Sequence, residues 1–506
     1  MRLAMSCARL AVFLALPAAA FPATLSFQNH TQPNSQNFGG GAPMYIHADL
    51  NGDGYEDIAF GYHPEAGDQN TFAVQLANGN GTYAAPVTYT VPANDTQVGN
   101  LVFGDFTNDG FIDIAAYGFY GIYIYANNGK GTFTLHNTVS INSSEGSAEG
   151  AVAADFNHDN LTDLAWTSQG RLYVYFGKGN GTFTAGPTMG VLGVWAKLGD
   201  FDGDGKADLM LTDNTTYSKA YILYGDGAGN FPVTRTINLT SSTDTTPSDN
   251  YVAFTVGDAN SDGRSDVLAV QPQIYKNRVL IYYGDTGRTF ANHTSVLVGR
   301  YIAGAAQVAD LDGNGYNDLI VQEADSSNAY FGPPYVDVLT RNANASYNAD
   351  QTVYWAQKSS DGMTYGIPYP PMVVRGNLDT KPDLVIQQCA DSRCDGYTTT
   401  TQINTTSGSF PTCNAPAAAK GINVCSPASS AASPVPFAIG ASGTEPMRDV
   451  EIWIDGSKRA VQIDGFSNYT FLNKSVSLTP GSHNVTVFAA GWDQSLVKKS
   501  FTVTVP

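Results

Sequence analysis

A nine-residue acidic string that returns down the chain, a glycine–aromatic turn that trails each copy, and the absence of any helical period predict an all-β protein: a seven-bladed β-propeller followed by a small β-sandwich. The first string is Asp49-Leu50-Asn51-Gly52-Asp53-Gly54-Tyr55-Glu56-Asp57. Five more stand in register with it, and each is recognised by its odd positions: Asp105, Thr107, Asp109, Phe111 and Asp113; Asp155, Asn157, Asp159, Leu161 and Asp163; Asp200, Asp202, Asp204, Lys206 and Asp208; Asp258, Asn260, Asp262, Arg264 and Asp266; Asp310, Asp312, Asn314, Tyr316 and Asp318. A seventh, read from Asn377 through Asp379 to Asp383, comes out two residues short and without the glycine.

Starts lie 56, 50, 45, 58, 52 and 67 residues apart, the length of one four-stranded blade with variable loops. Each string is flanked by short apolar runs, such as Leu101–Phe103 before the second and Leu209–Leu211 after the fourth, so it reads as the turn of a hairpin. About 20 residues after each start comes a Tyr- and Val-rich run ending in a turn such as Gly129-Lys130-Gly131-Thr132-Phe133, the second hairpin of the blade. The last strand of repeat seven is cut short by Pro411, whereas Thr24–Asn29 precedes repeat one without a partner; the N-terminal segment is therefore expected to complete blade seven and remove an open edge.

The string has the chemistry of a cation site. Calcium takes six to eight oxygens, and a tight turn brings carboxylates at alternate positions onto one point. Positions 1, 3, 5 and 9 offer side-chain oxygens, and glycine at position 6 admits a left-handed backbone, for which Asn160 is the next most tolerant residue. An EF-hand shares this opening but needs a glutamate at position 12, where this chain has Phe60, Ala116, Trp166, Leu211, Ala269 and Val321. About six Ca²⁺ sites are expected, and the seventh loop, with its lower acid density, is expected to hold none.

These strings resemble the FG-GAP and VCBS repeats of integrin-α-like propellers, and Phe38-Gly39-Gly40-Gly41-Ala42-Pro43 carries the FG-GAP string itself. The resemblance spans residues 24–411. It implies a position-7 backbone carbonyl as a further calcium ligand (Tyr55, Phe111, Leu161, Lys206, Arg264, Tyr316), and adhesion or carbohydrate recognition as the function.

The remaining expectations follow from composition and pattern. Residues 1–20 read as an export signal, with Arg2 and Arg9 before an apolar run and small residues at Ala18–Ala20, so the mature protein is expected outside the cell. Removing the signal takes the formal charge from −19 to −21, which argues against nucleic acid as a partner. It also leaves Cys389, Cys394, Cys413 and Cys425, whose proximity favours pairing 389 with 394 and 413 with 425. No stretch after the signal is long and apolar enough to span a membrane. Residues 21–411 form the propeller, 412–433 an Ala-, Pro- and Ser-rich linker, and 434–506 a set of short alternating strands resembling bacterial immunoglobulin-like modules.

No catalytic motif stands in the chain, so a binding role for an extracellular glycan or protein is expected; the alternative is a secreted lyase or glycosidase on a calcium-stabilised propeller. The face opposite the acidic loops collects aromatics, among them Trp195, Trp355, Tyr365 and Tyr369, as the candidate ligand surface. The same set includes Tyr117, Tyr120 and Tyr335.

Overall fold

The computed structural model describes residues 24–506 apart from 34–44, 62–69, 93–94, 96–97, 142–149, 214–217, 240–252, 271–277, 325–333, 350, 356–370, 378, 380, 390–396, 408–412, 414, 417–419, 445 and 464–467. The export signal, the FG-GAP string, Cys394, Tyr365 and Tyr369 lie outside the described residues. Among those described, every regular element is a strand, and no helix is long and apolar enough to cross a membrane.

Seven four-stranded antiparallel sheets follow one another along the chain. Blade two is representative, with strands Val98–Gly104, Asp113–Gly118, Gly121–Asn127 and Phe133–Ser140 in that spatial order. Its second strand is buried at every residue, whereas its fourth is mostly exposed or half-exposed. The middle strands are covered on both faces by neighbouring blades, which is why they read as continuous apolar runs and the outer ones do not. Apolar clusters bridge each blade to the next, and the ring closes where Ile58 and Phe60 of blade one pack with Val374 and Val385 of blade seven.

That last blade is built from both ends of the propeller. Phe27–Pro33 pairs antiparallel with Tyr397–Asn404, Phe27 opposite Asn404 and Pro33 opposite Thr398. The N-terminal closure expected from the sequence is thus present, with the strand running to Pro33 rather than Asn29. Proline is tolerated because this strand is the outer edge of the sheet.

The C-terminal unit is a two-sheet sandwich. One sheet orders Gly421–Ser426, Val435–Ser442 and Tyr469–Val476; the other orders Ser457–Ile463, Met447–Ile454, Gly481–Gly491 and Leu496–Val505. Phe437, Ile439, Val450, Ile452, Val485, Val487 and Val503 fill the space between them. The fourth strand, Ser457–Ile463, pairs with the third rather than the fifth, unlike the constant-type immunoglobulin order. The sandwich also begins earlier than expected. Gly421–Ser426, inside the segment read as a linker, is its first strand, and the expected Cys413–Cys425 disulfide ties that strand to the chain before it. Cys389 is also disulfide-bonded.

The sandwich rests on the propeller face that carries the acidic loops. The Asp155 amide donates to the Trp492 carbonyl at 2.9 Å, the Asp49 amide to Asn468 Oδ1 at 3.2 Å, and Gln494 Nε2 to the Gly205 carbonyl at 3.2 Å. Trp492 is buried among apolar residues of blades three and four.

Candidate metal centres

Every acidic string forms the turn between the first and second strands of its blade. The position-1 carboxylate sits at the centre of the turn and gathers backbone amides. In loop one, Asp49 Oδ1 accepts from Gly52 at 2.7 Å and Oδ2 from Gly54 at 2.8 Å. The position-6 amide repeats this bond in the other five loops at 2.7–2.9 Å. Position 6 has φ between +65° at Asn160 and +92° at Gly54, so the left-handed geometry expected there is adopted. Positions 3 and 5 hold short side-chain-to-backbone turns. Asn51 Oδ1 accepts from the Asp53 amide and Asp53 Oδ1 from the Tyr55 amide, both at 2.9 Å.

Position 9 does two jobs. Asp57 Oδ2 accepts from the Leu50 amide at 2.8 Å, and Oδ1 from Ala77, at the end of the third strand, at 2.7 Å. Asp163, Asp208, Asp266 and Asp318 make the same pair of bonds. Asp113 differs in taking the Thr107 amide and hydroxyl in place of the position-2 amide. This carboxylate is a strut joining loop to blade as well as a candidate ligand, and it is wholly buried in every blade. Burial pushes Asp57, Asp163 and Asp208 up to about 8 and Asp113 up to about 6. The same cause raises Asp200 and Asp258 to about 6 and Asp310 to about 7 at position 1. A cation among these oxygens would relieve the cost of holding them charged and buried.

The donor set fits calcium: hard oxygens only, carboxylates at alternate positions, and a turn already shaped by its own backbone. Carboxylate oxygens of Asp200, Asp202 and Asp208 lie within 4.8 Å of one another, as do those of Asp310, Asp312 and Asp318. These are the two loops with aspartate at position 3; the other four offer Asn51, Thr107, Asn157 or Asn260 there. Loops four and five also carry cations, of which only Arg288 lies outside the repeat strings. Arg288 Nε reaches Asp202 at 2.6 Å and Lys206 Nζ reaches Asp204 at 2.7 Å. Arg264 pairs with Asp262.

Loop seven corrects the sequence reading. Asp383 Oδ2 accepts from the Gly376 amide at 2.9 Å and Oδ1 from Asn404, at the end of a third strand, at 2.7 Å. Gly376 therefore occupies position 2 and Arg375 position 1. The Asn377-to-Asp379 and Asp379-to-Lys381 turns fall at positions 3 and 5, as in loop one. The ring confirms this register. The Ser265 amide, at position 8 of loop five, bonds the Asp200 carbonyl at position 1 of loop four; the Glu56 amide, at position 8 of loop one, bonds the Arg375 carbonyl. Loop seven is not short: it has a full nine residues, with arginine in place of the central carboxylate.

The aromatic candidates divide. Trp195 stands at the end of blade four away from the acidic loops, 39 % exposed, with φ +56° at an irregularity in its strand. Trp355 lies opposite Tyr335 in the last pair of blade six. Tyr335 lies under the Arg300 guanidinium, 4.2 Å from the ring centre, and Tyr120 is exposed. Tyr117 is not available for binding, because it is buried edge-on against Trp166 between blades two and three.

Among solved structures, the chain is similar to the Photorhabdus luminescens Tc holotoxin pore (16% identity, TM-score 0.39), over 94% of this chain and 25% of that one. It thus spans a quarter of the length of that toxin chain. It is also similar to a Lactobacillus plantarum protein (12%, TM-score 0.38, 66% and 92% covered) and to the WD40 domain of SCAP from fission yeast (9%, TM-score 0.41, 94% and 90% covered). No curated protein matches the sequence. The model of the FG-GAP-like repeat matches residues 49–116, 108–166, 155–211, 200–269 and 258–321, each match running from one acidic loop past the next and together covering more than half of the chain. With its loops in register and its blades closed into a ring, the chain belongs to the FG-GAP-like repeat family of β-propellers.

Proposed function

We propose that this protein is a secreted, calcium-binding propeller that recognises an extracellular glycan or protein and catalyses no reaction. The observation that carries the reading is the repetition of one oxygen-lined turn in six blades, with a carboxylate at position 1 and a wholly buried carboxylate at position 9 in each. Side chains at positions 1, 3, 5 and 9 and the carbonyl at position 7 would hold Ca²⁺. The ion would supply charge compensation that braces the turn. A role in bracing leaves recognition to other surfaces, and the end of the ring carrying Trp195 is the one the sandwich does not cover. An exposed indole suits stacking on sugar rings.

The test is a glycan and matrix-protein binding screen of the full chain, with and without Ca²⁺, alongside a polysaccharide-degradation assay. Binding reduced at least ten-fold by Trp195→Ala, with the melting curve unchanged, is the expected result. Degradation of a polysaccharide would replace the binding role with the enzymatic one. Binding insensitive to Trp195 would move the site elsewhere.

A further inference from the structure

The sandwich faces all seven loops and makes direct contacts with most of them. Tyr469 donates its hydroxyl to the Asp49 carboxylate of loop one. Thr444 is the nearest neighbour of Gly110 in loop two, its methyl 3.9 Å from where a Cβ would stand. Loop three is held by the Trp492 carbonyl, loop four by Arg448 on the Gly205 carbonyl, and loop six by Lys474 on the Gly315 carbonyl. Val461 packs so closely on Gly263 of loop five that no side chain would fit there. In loop seven the Arg375 guanidinium lies 4.9 Å from the Tyr469 ring centre and 4.7 Å from that of Phe471.

Four of these contacts fall on one place in the repeat, the glycine at position 6. Arg448 and Lys474 take its backbone carbonyl, a neutral acceptor, although carboxylates stand nearby. Docking at these positions therefore reads the shape of the closed turn, in addition to the charge of the carboxylates that Tyr469, Arg448 and Lys474 also face. A turn shape held by a central carboxylate and its surrounding amides is what a bound cation would reinforce.

We infer that the C-terminal sandwich is a metal-dependent lid on the propeller: closed loops hold it down, and loss of the ions releases it while its own two sheets stay folded. The inference rests on the calcium reading of the loops. By linkage, the closed lid must in turn tighten ion binding by the same factor. Electrostatics alone predicts the opposite. Lys474 is a cation beside loops five and six, so replacing it by an acid should draw Ca²⁺ in more strongly.

The experiment uses the full chain and its Lys474→Glu and Val461→Glu variants, both altered at the docking surface rather than in the sandwich core. Small-angle scattering and protease sensitivity between the domains report docking. Hydrogen exchange over Gly481–Gly491 reports whether the sandwich is folded, and calcium titration gives affinity. In wild type, chelator should enlarge the particle and speed interdomain cleavage at least ten-fold, with Gly481–Gly491 still protected. Each variant should be open in saturating Ca²⁺ and should bind Ca²⁺ several-fold more weakly. A lid that stays closed in chelator over a folded propeller, or variants that open yet bind Ca²⁺ as tightly as wild type or more so, would overturn the inference. If chelator unfolds the whole propeller, the variants in saturating Ca²⁺ decide. Wild type taking up no Ca²⁺ would fail the metal reading itself, and this inference with it; uptake with docking unaffected would fail the inference alone.

Discussion

Loops one to six and loop seven share a backbone but not a charge. In loop one as in loop seven, the position-9 aspartate bonds position 2 and the end of the third strand, and positions 3 and 5 make the same side-chain turns. At position 1, six loops carry a carboxylate, buried in four and half-buried at Asp105 and Asp310, and the seventh an arginine that is 7 % exposed, its guanidinium against the sandwich's aromatic rings. The difference separates two functions that the repeat pattern merges. Position 9 serves the blade, so all seven loops keep it; on the proposed calcium reading position 1 would serve the cation, and loop seven, with arginine there, would hold none.

The largest effect that could break this comparison is ion removal. Six sites, each occupied at ten times its dissociation constant, contribute about 8 kcal/mol together. Calorimetry should therefore show chelator lowering the melting temperature steeply, with recovery in Ca²⁺ and poor recovery in Mg²⁺; an unchanged melt would show that the loops need no ion. Next comes the strut. Asp383→Ala and Asp208→Ala each orphan two buried amides and should cost roughly 2–5 kcal/mol, by denaturant unfolding in Ca²⁺, although only Asp208 belongs to a loop with a carboxylate at position 1. A mild effect at Asp383 would mean that position 9 matters chiefly as a ligand.

The pH dependence sharpens the same point. Without ions, Asp57, Asp163 and Asp208 have folded values near 8, raised by burial, against about 4 when unfolded. Between these values the folded state binds more protons, so stability must fall as pH rises from about 4 to 8. The ion-free protein should melt several degrees lower at pH 8 than at pH 5.5, and saturating Ca²⁺ should flatten or reverse that slope. The smallest effect is a gain. Arg375→Asp restores an acidic position 1 in loop seven and should add one calcium equivalent by titration, a weak site worth about 1 kcal/mol.

Much of the molecule was legible. Seven blades, the closing N-terminal strand and the Cys413–Cys425 pair follow from spacing and leftover segments, because a propeller repeats one local solution. What escaped was whatever breaks the repeat. Arg375 was missed because the seventh string was aligned on its first polar residue; counting back eight positions from Asp383 would have found it. Gly421–Ser426 hid among alanines and prolines, although Ile422 and Val424 alternate as a strand requires. The docking surface left no trace, since Arg448 and Lys474 bond backbone carbonyls, which every residue possesses.

The pairing of Phe27–Pro33 with Tyr397–Asn404 makes ring closure a late event in the life of the chain. Blades one to six can form as their own segments emerge, but blade seven lacks its outer strand until both ends of the propeller sequence have arrived. Such distant contacts form slowly, because the intervening chain must be ordered before they are rewarded. A chain still in transit is thus an open arc whose last sheet has an unsatisfied edge, the kind of surface that recruits a neighbouring copy. Yield during production should consequently depend on how fast the N-terminal strand finds its place, and an obstructed N-terminus should favour exchanged dimers.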